Sequence, residues 1–491
     1  MFSRRRARKA QEQQRDLSAR IRSAEAADRA GAAAEIAKVR DQAWALRELA
    51  QALEREPLPD TFSDIAGAFC DALFRDRVAR ERVEQILALP DDQPAELVRA
   101  WTAFMAECGA GAAMETVDDE LGQDVRSRLR RLAGQGWRHR ELSRMHKDSF
   151  AYYIAFGTAV VLVHDAVRRS APLPGDEAEH ARKEIRTALE RALALPADSD
   201  ERLGVLVALS MRPDEEETWT DRALAGLRID EALALCRSPE PARVTLGLEA
   251  LHSLMLFGPV LRRTAIRTTL DRVCVPDQEP YTFSEGLLGY AALQADDPLD
   301  DPPVELFLNA LGHPDEVVRA AAASGLDRVG PGLPEEQRVV AALTDSLDSD
   351  PDAEVVRCAA TALAGISCAD EANTRAASRA LARHADSADA RVRAASVEGA
   401  LLRDEPGAFA RLTTELQRAD VQAVFVSVTD AFVIDSRNDL TDVQRAELTR
   451  HLERLRQDGW AEHPGDDDET DAETRAGLVE QVLVALRGSA R

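Results

Sequence analysis

The 491-residue sequence predicts an all-α fold whose C-terminal half is an array of stacked helix pairs. Three observations lead there. Aromatic residues are only 4% of the chain, while Ala, Leu, Arg and Glu dominate, residues that lose little side-chain freedom in a helix. One recipe returns at a near-fixed interval: HPDEVVRAAAASGLDRVG from residue 313, DPDAEVVRCAATALAGIS from 350 and DSADARVRAASVEGALLR from 386. Each recurrence is preceded by a second amphipathic segment, so the repeating unit is a pair of helices.

The interval is set by the arginines. Arg319 to Arg357 is 38 residues and Arg357 to Arg393 is 36. Each follows a turn that contains an aspartate (Asp315, Asp352, Asp389) and precedes an alanine-rich apolar face. The aspartate is placed to accept hydrogen bonds from the free N–H groups that open the second helix. PVELFLNALG, EEQRVVAALTDSLDS and ANTRAASRALARHA supply the first helices of the three pairs. Upstream, Arg243 lies two periods before Arg319, and EPYTFSEGLLGYAAL fills the gap without an arginine. Downstream, DVQAVFVSVTDAFVID keeps the spacing and lacks the arginine too. One such pair cannot bury its own apolar face, whereas neighbours on either side can.

The Pro/Asp turn, the Val-Arg-x-Ala-Ala core and the two-helix unit resemble the HEAT-repeat family of α-solenoids, clearly over 303–402 and more weakly over about 201–435. The resemblance implies a ladder in which turn aspartates and arginines of neighbouring repeats alternate, placing Asp315, Arg319, Asp352, Arg357, Asp389 and Arg393 in it as structural residues. Enzymes on this scaffold have marks the chain lacks. There is no His-Glu dipeptide of the iron-binding hydroxylase type, and Trp219 is the only tryptophan in 201–435, against the basic, aromatic groove of the alkylpurine glycosylase type.

The remainder divides by composition. Residues 1–56 read as a basic helix or hairpin, with Ile36, Val39, Ala43, Leu46, Ala50 and Leu53 in a heptad-like seam. Residues 57–200 read as a helical bundle whose core helix is SFAYYIAFGTAVVLV, too short for a bilayer span. SAPLPGD at 170–176 is the best interior linker. Residues 201–435 hold the HEAT-like repeats, and 436–491 capping helices with an acidic loop at 464–474.

Net charge is −25, distributed unevenly: residues 1–50 carry 12 Lys+Arg against 7 Asp+Glu, and the rest 50 against 80. An acidic body repels phosphate backbones, which counts against nucleic-acid binding by the repeats. The six cysteines are dispersed with no CxxC, consistent with free thiols in a reducing compartment. No apolar segment follows the basic N-terminus as in a secretory signal, so a cytoplasmic location is expected. No phosphate-binding, serine-hydrolase or zincin motif occurs, and no cofactor or metal is called for.

One local cluster stands out as an anion-binding candidate: Arg126, Arg130, Arg138, His139, Arg140, Arg144 and Lys147. Part of it is the preference of a helix C-terminus for cations, and charge runs usually lie on solvated faces. His146 and His164 are 18 residues apart, about 27 Å along a straight helix, too far to share a metal.

The reading that follows is a non-enzymatic interaction scaffold or adaptor, binding a basic or amphipathic protein segment on an acidic repeat surface. Two alternatives stay open: an enzyme or effector accessory with a ligand site in the N-terminal bundle, and a peripheral membrane adaptor held by the basic N-terminus. Oligomeric state has no signature in the sequence.

Overall fold

The computed structural model describes residues 2–90, 92–110, 119–134, 150–169, 173, 175–197, 199–211, 218–258, 261–295, 301–418, 421, 423–435, 440–462 and 472–488. Among them are twenty-four α-helices, one 3₁₀ turn and no strand. The chain forms two compact units, Met1–Val275 with Ala295–Asp300, and Pro276–Gln294 with Asp301–Arg491. The boundary expected at 200 therefore lies inside the first unit.

That unit opens with α1 (Phe2–Arg20), α2 (Ala26–Ile36), α3 (Gln42–Arg55), α4 (Pro59–Arg75), α5 (Arg77–Leu87) and α6 (Pro94–Glu107). The boundaries follow local chemistry. Asp41 accepts from Trp44 N at the start of α3, Asp76 from Val78 N and Ala79 N at the start of α5, and prolines open α4 and α6. The heptad-like seam does not form one continuous helix. Ile36 ends α2, Val39 lies in the connection and Ala43 belongs to α3.

Next come α7 (Asp119–Gly134) and α8 (Phe150–Arg169), and the aromatic α8 is indeed a core helix. Its Tyr152 and Phe156 are fully buried with Phe62, Phe69 and Trp101. Trp101 Nε1 donates to His164 Nδ1 at 3.0 Å, and the His164 ring stacks on Phe62. Desolvation, aided by the Arg168 charge, pushes His164 down to about 3, so it is neutral at ordinary pH. The unit ends with α9 (Gly175–Leu193), α10 (Asp200–Ser210), α11 (Trp219–Cys236), α12 (Pro241–Phe257) and α13 (Arg263–Val273). A buried ion pair, Arg202–Glu249 at 2.5 Å, and a Ser210–Ser253 hydrogen bond at 3.0 Å fasten α10 to α12.

The second unit holds α14 (Pro280–Ala295), α15 (Val304–Ala310), α16 (Glu316–Val329), α17 (Glu336–Ser349), α18 (Ala353–Gly365), α19 (Glu371–Arg383), α20 (Ala390–Leu402), α21 (Ala408–Leu416), α22 (Ala423–Asp435), α23 (Asp442–Gln457) and α24 (Ala472–Gly488). Its helices form two tiers. α16, α18, α20, α22 and α24 stack in succession, while α17 packs on α19 and α21 on α23. Alanines permit the close stacking: Ala322, Ala323, Ala359, Ala360, Ala394 and Ala395 are buried. Gly325 is required where α15 crosses α16, because a Cβ there would strike the Phe307 ring. The last layer is closed by α23 and α24, whose Leu448, Leu452, Val482 and Leu483 share a core with Phe425.

Candidate functional site

The repeat tier is built by its turns. Asp315 accepts from Val317 N at 3.0 Å, Asp352 from Glu354 N at 2.9 Å, and Asp389 from Arg391 N at 2.9 Å. Each opens a helix of the first tier. The arginine one turn later reaches two ways. Arg319 Nη1 donates to the His313 and Pro314 carbonyls of its own turn, both at 3.0 Å, while its other nitrogens grip Asp350 of the following turn at 2.9 and 3.1 Å. Arg393 donates to the Ser387 and Ala388 carbonyls and lies 3.4 Å from Glu415. Arg357 Nε bonds Asp389 at 2.7 Å.

Of the six ladder residues, the structure thus brings Arg357 and Asp389 together. Asp315 and Asp352 serve as helix caps, and the acids opposite Arg319 and Arg393 are Asp350 and Glu415. The sequence DSDPD offers three acids to Arg319, and spacing alone does not choose among them. The geometry does: Asp350 stands before the cap and faces back across the layer. Burial by itself would raise the Asp350 and Asp389 carboxyls; hydrogen bonds from Arg319 and Arg357 outweigh it and hold both below the ordinary range.

Residues 304–401 match the family model for HEAT repeats. This segment is made of HEAT repeats. An engineered protein of known structure is 16% identical, with 97% of this chain and 99% of that chain covered and a TM-score of 0.32. Yeast importin-beta, Kap95p, is 13% identical, with 97% of this chain and 61% of that chain covered and a TM-score of 0.36. No curated protein matches the chain.

Two carboxylates of the HEAT segment were not singled out by sequence. Glu336, buried at the start of α17, accepts from Gly332 N, Ala369 N, Asp370 N and Asn373 Nδ2 at 2.8 to 3.1 Å. Desolvation works against its charge, but these four donors prevail and bring it down to about 2. It staples α17 to the turn before α19, and only long-range contact reveals it.

Asp327 is the opposite case. It lies in the last turn of α16, at the end of the helix dipole that disfavours anions. One of its oxygens, Oδ1, is buried without a hydrogen-bond partner, and the other lies 3.3 Å from where a Cβ on Gly365 would sit. Burial raises it to about 6, against the pull of Arg328 and of local backbone N–H groups. Thr361 and Gly365, one turn apart on α18, are exposed, so Asp327 sits at the open side of the α16–α18 seam.

The basic cluster at 126–147 is placed only in part. Arg126 is fully buried, with Nη2 donating to the Leu89 and Pro90 carbonyls at 2.9 and 3.2 Å, so it fixes the turn before α6 and is not a surface anion site. Arg128 is buried too, beside Asp124 and Asp165. The side chain of Arg130, and all of Arg138, His139, Arg140, Arg144 and Lys147, lie outside the described residues. Residues 464–471 of the acidic loop lie outside them as well, and 472–474 open α24. Arg243 joins no ladder; it pairs with Glu190 of α9 and with Glu240.

Among the described residues, no helix is long and apolar enough to cross a membrane, and no group of three or more His, Cys, Asp or Glu is arranged to hold a metal ion. The six cysteines are free.

Proposed function

We propose that the chain is a protein-interaction scaffold, and that the open side of the α16–α18–α20–α22 tier receives a basic or amphipathic segment of a protein partner. The observation that carries this reading is the unbroken succession of α16, α18, α20 and α22 through and beyond the HEAT repeats, which turns short helices into one extended face. Charge supports the partner's chemistry. Residues 301–435 carry 23 Asp+Glu against 12 Arg and no Lys. Asp327 supports it further: a carboxylate held at the seam with an unpartnered oxygen is relieved by a cation brought from outside.

The test is affinity capture by the full chain beside an Asp327→Asn variant, at low and at elevated salt. A scaffold of this kind retains a protein with a basic segment, releases it as salt rises, and loses it in the variant. Capture that is indifferent to both changes refutes the reading.

A further inference from the structure

Between Leu203 and Met211 the chain reads LGVLVALSM, nine residues without a charge, and nearly all of them form α10. A helix apolar on every side is normally enclosed on every side. α10 is not. One side is buried through Leu206 and Ser210. The other is open: Leu203 and Met211 are 57% and 56% exposed, and Gly204 and Ala208 lie between them on the surface.

Beside this face runs an open trough of about 880 Å³ between α9 and α10. Lys183, Thr187 and Arg191 line the α9 wall, Glu201, Val205 and Ala208 the α10 wall, each set at intervals of three or four residues. The groove thus follows both helices for two turns or more, the shape left when one helix is missing from a packed group. Lys183, Arg191 and Glu201 are exposed and make no ion pair among the described residues.

We propose that this face is a self-association site, in which α10 of a second copy lies antiparallel across α10 and closes both open faces at once. A two-fold contact places one patch against itself, so the patch must be self-complementary. This one is. Its centre is apolar, and its rim carries unpaired charges of both signs. The short connection from Leu193 to Asp200 makes α9 and α10 antiparallel, so Lys183 stands near Ala208, about 10 Å along α10 from Glu201. In an antiparallel crossing centred between Gly204 and Val205, Glu201 of each copy lies level with the partner's Ala208 and so beside the partner's Lys183, giving two equivalent ion pairs. With Lys183 and Arg191 set against Glu184 and Glu201, the lining carries as many cations as anions and so avoids the repulsion that a net charge of −25 imposes elsewhere. A single-signed rim would suit a foreign helix and not a second copy.

The experiment is sedimentation velocity on the full chain across about 1–100 µM at near-physiological salt, with circular dichroism to confirm that each variant folds. The expected result is reversible association to twice the 53.7 kDa chain mass. Leu203→Glu/Ala208→Glu, both at exposed positions, weakens it at least tenfold. Glu201→Lys alone and Lys183→Glu alone each weaken it. The double variant restores it, and so does mixing the two single variants, since each then supplies the charge the other lacks. A monomer at every concentration overturns the proposal. So does a dimer that survives Leu203→Glu/Ala208→Glu, or one whose strength ignores the charge reversals.

Discussion

Arg357 Nε lies 2.7 Å from Asp389 Oδ2, while Oδ1 of the same carboxylate accepts from Arg391 N and Val392 N. One side chain therefore opens its own helix and holds the preceding layer. One layer earlier the two tasks are divided, with Asp352 capping and Asp350 gripping Arg319. Asp389→Ala should accordingly cost about 2 kcal/mol and Asp352→Ala about 1 kcal/mol, the difference being the lost ion pair. Urea unfolding monitored by helicity measures both.

Arg319 and Arg357 differ in how much water reaches them. The Arg319 and Asp350 side chains are 12% and 8% exposed, those of Arg357 and Asp389 34% and 25%. Arg319→Met strands a buried carboxylate and two carbonyls and should cost about 3 kcal/mol; Arg357→Met should cost under about 1 kcal/mol. Equal losses would show that the shielding of the first pair has no energetic weight.

Glu336 sets an acid limit on the HEAT segment. Its folded carboxyl titrates at about 2 against an ordinary 4.5. The unfolded chain thus takes up a proton first, and the stabilisation, complete above about 4.5, is lost as pH falls through about 2. Glu336→Gln should lower stability by about 2 kcal/mol at pH 7 and flatten the pH dependence within that window. Denaturant midpoints at pH 7, 4 and 2.5 follow both effects.

His164 gives the N-terminal bundle a different acid limb. Its pKa falls from 6.5 to about 3, so protons bind the unfolded chain preferentially in that interval and stability declines as pH drops through it. His164→Phe removes this slope. It also costs about 1–2 kcal/mol at pH 7, because the buried Trp101 N–H loses its acceptor. A variant with an unchanged slope would place the bundle's acid sensitivity elsewhere.

Asp327 carries the reverse sign. Its pKa is raised from 3.8 to about 6, so the cost of holding it charged is full above about pH 6 and vanishes below about 3.8. Asp327→Asn should therefore stabilise the free protein by about 1 kcal/mol at pH 7 and leave it unchanged near pH 3.5. The same substitution should weaken binding of a basic partner, a trade of stability for recognition.

The sequence by itself determined the helices and their order. Capping aspartates, alanine faces and the recurring arginine are local signals, and α15 to α20 fall where those signals place them. The tertiary structure decided which charge meets which. Asp350 rather than Asp352 faces Arg319, Arg126 turns inward to the Leu89 carbonyl, and Glu336 finds donors more than 30 residues away. It also decided which side of the uncharged stretch Leu203 to Met211 stays open, where no periodicity marks a face. The physical reason is range. A cap is satisfied within three residues, whereas burial, ion pairing and a shifted pKa depend on groups that only the packed layers bring within a few ångströms.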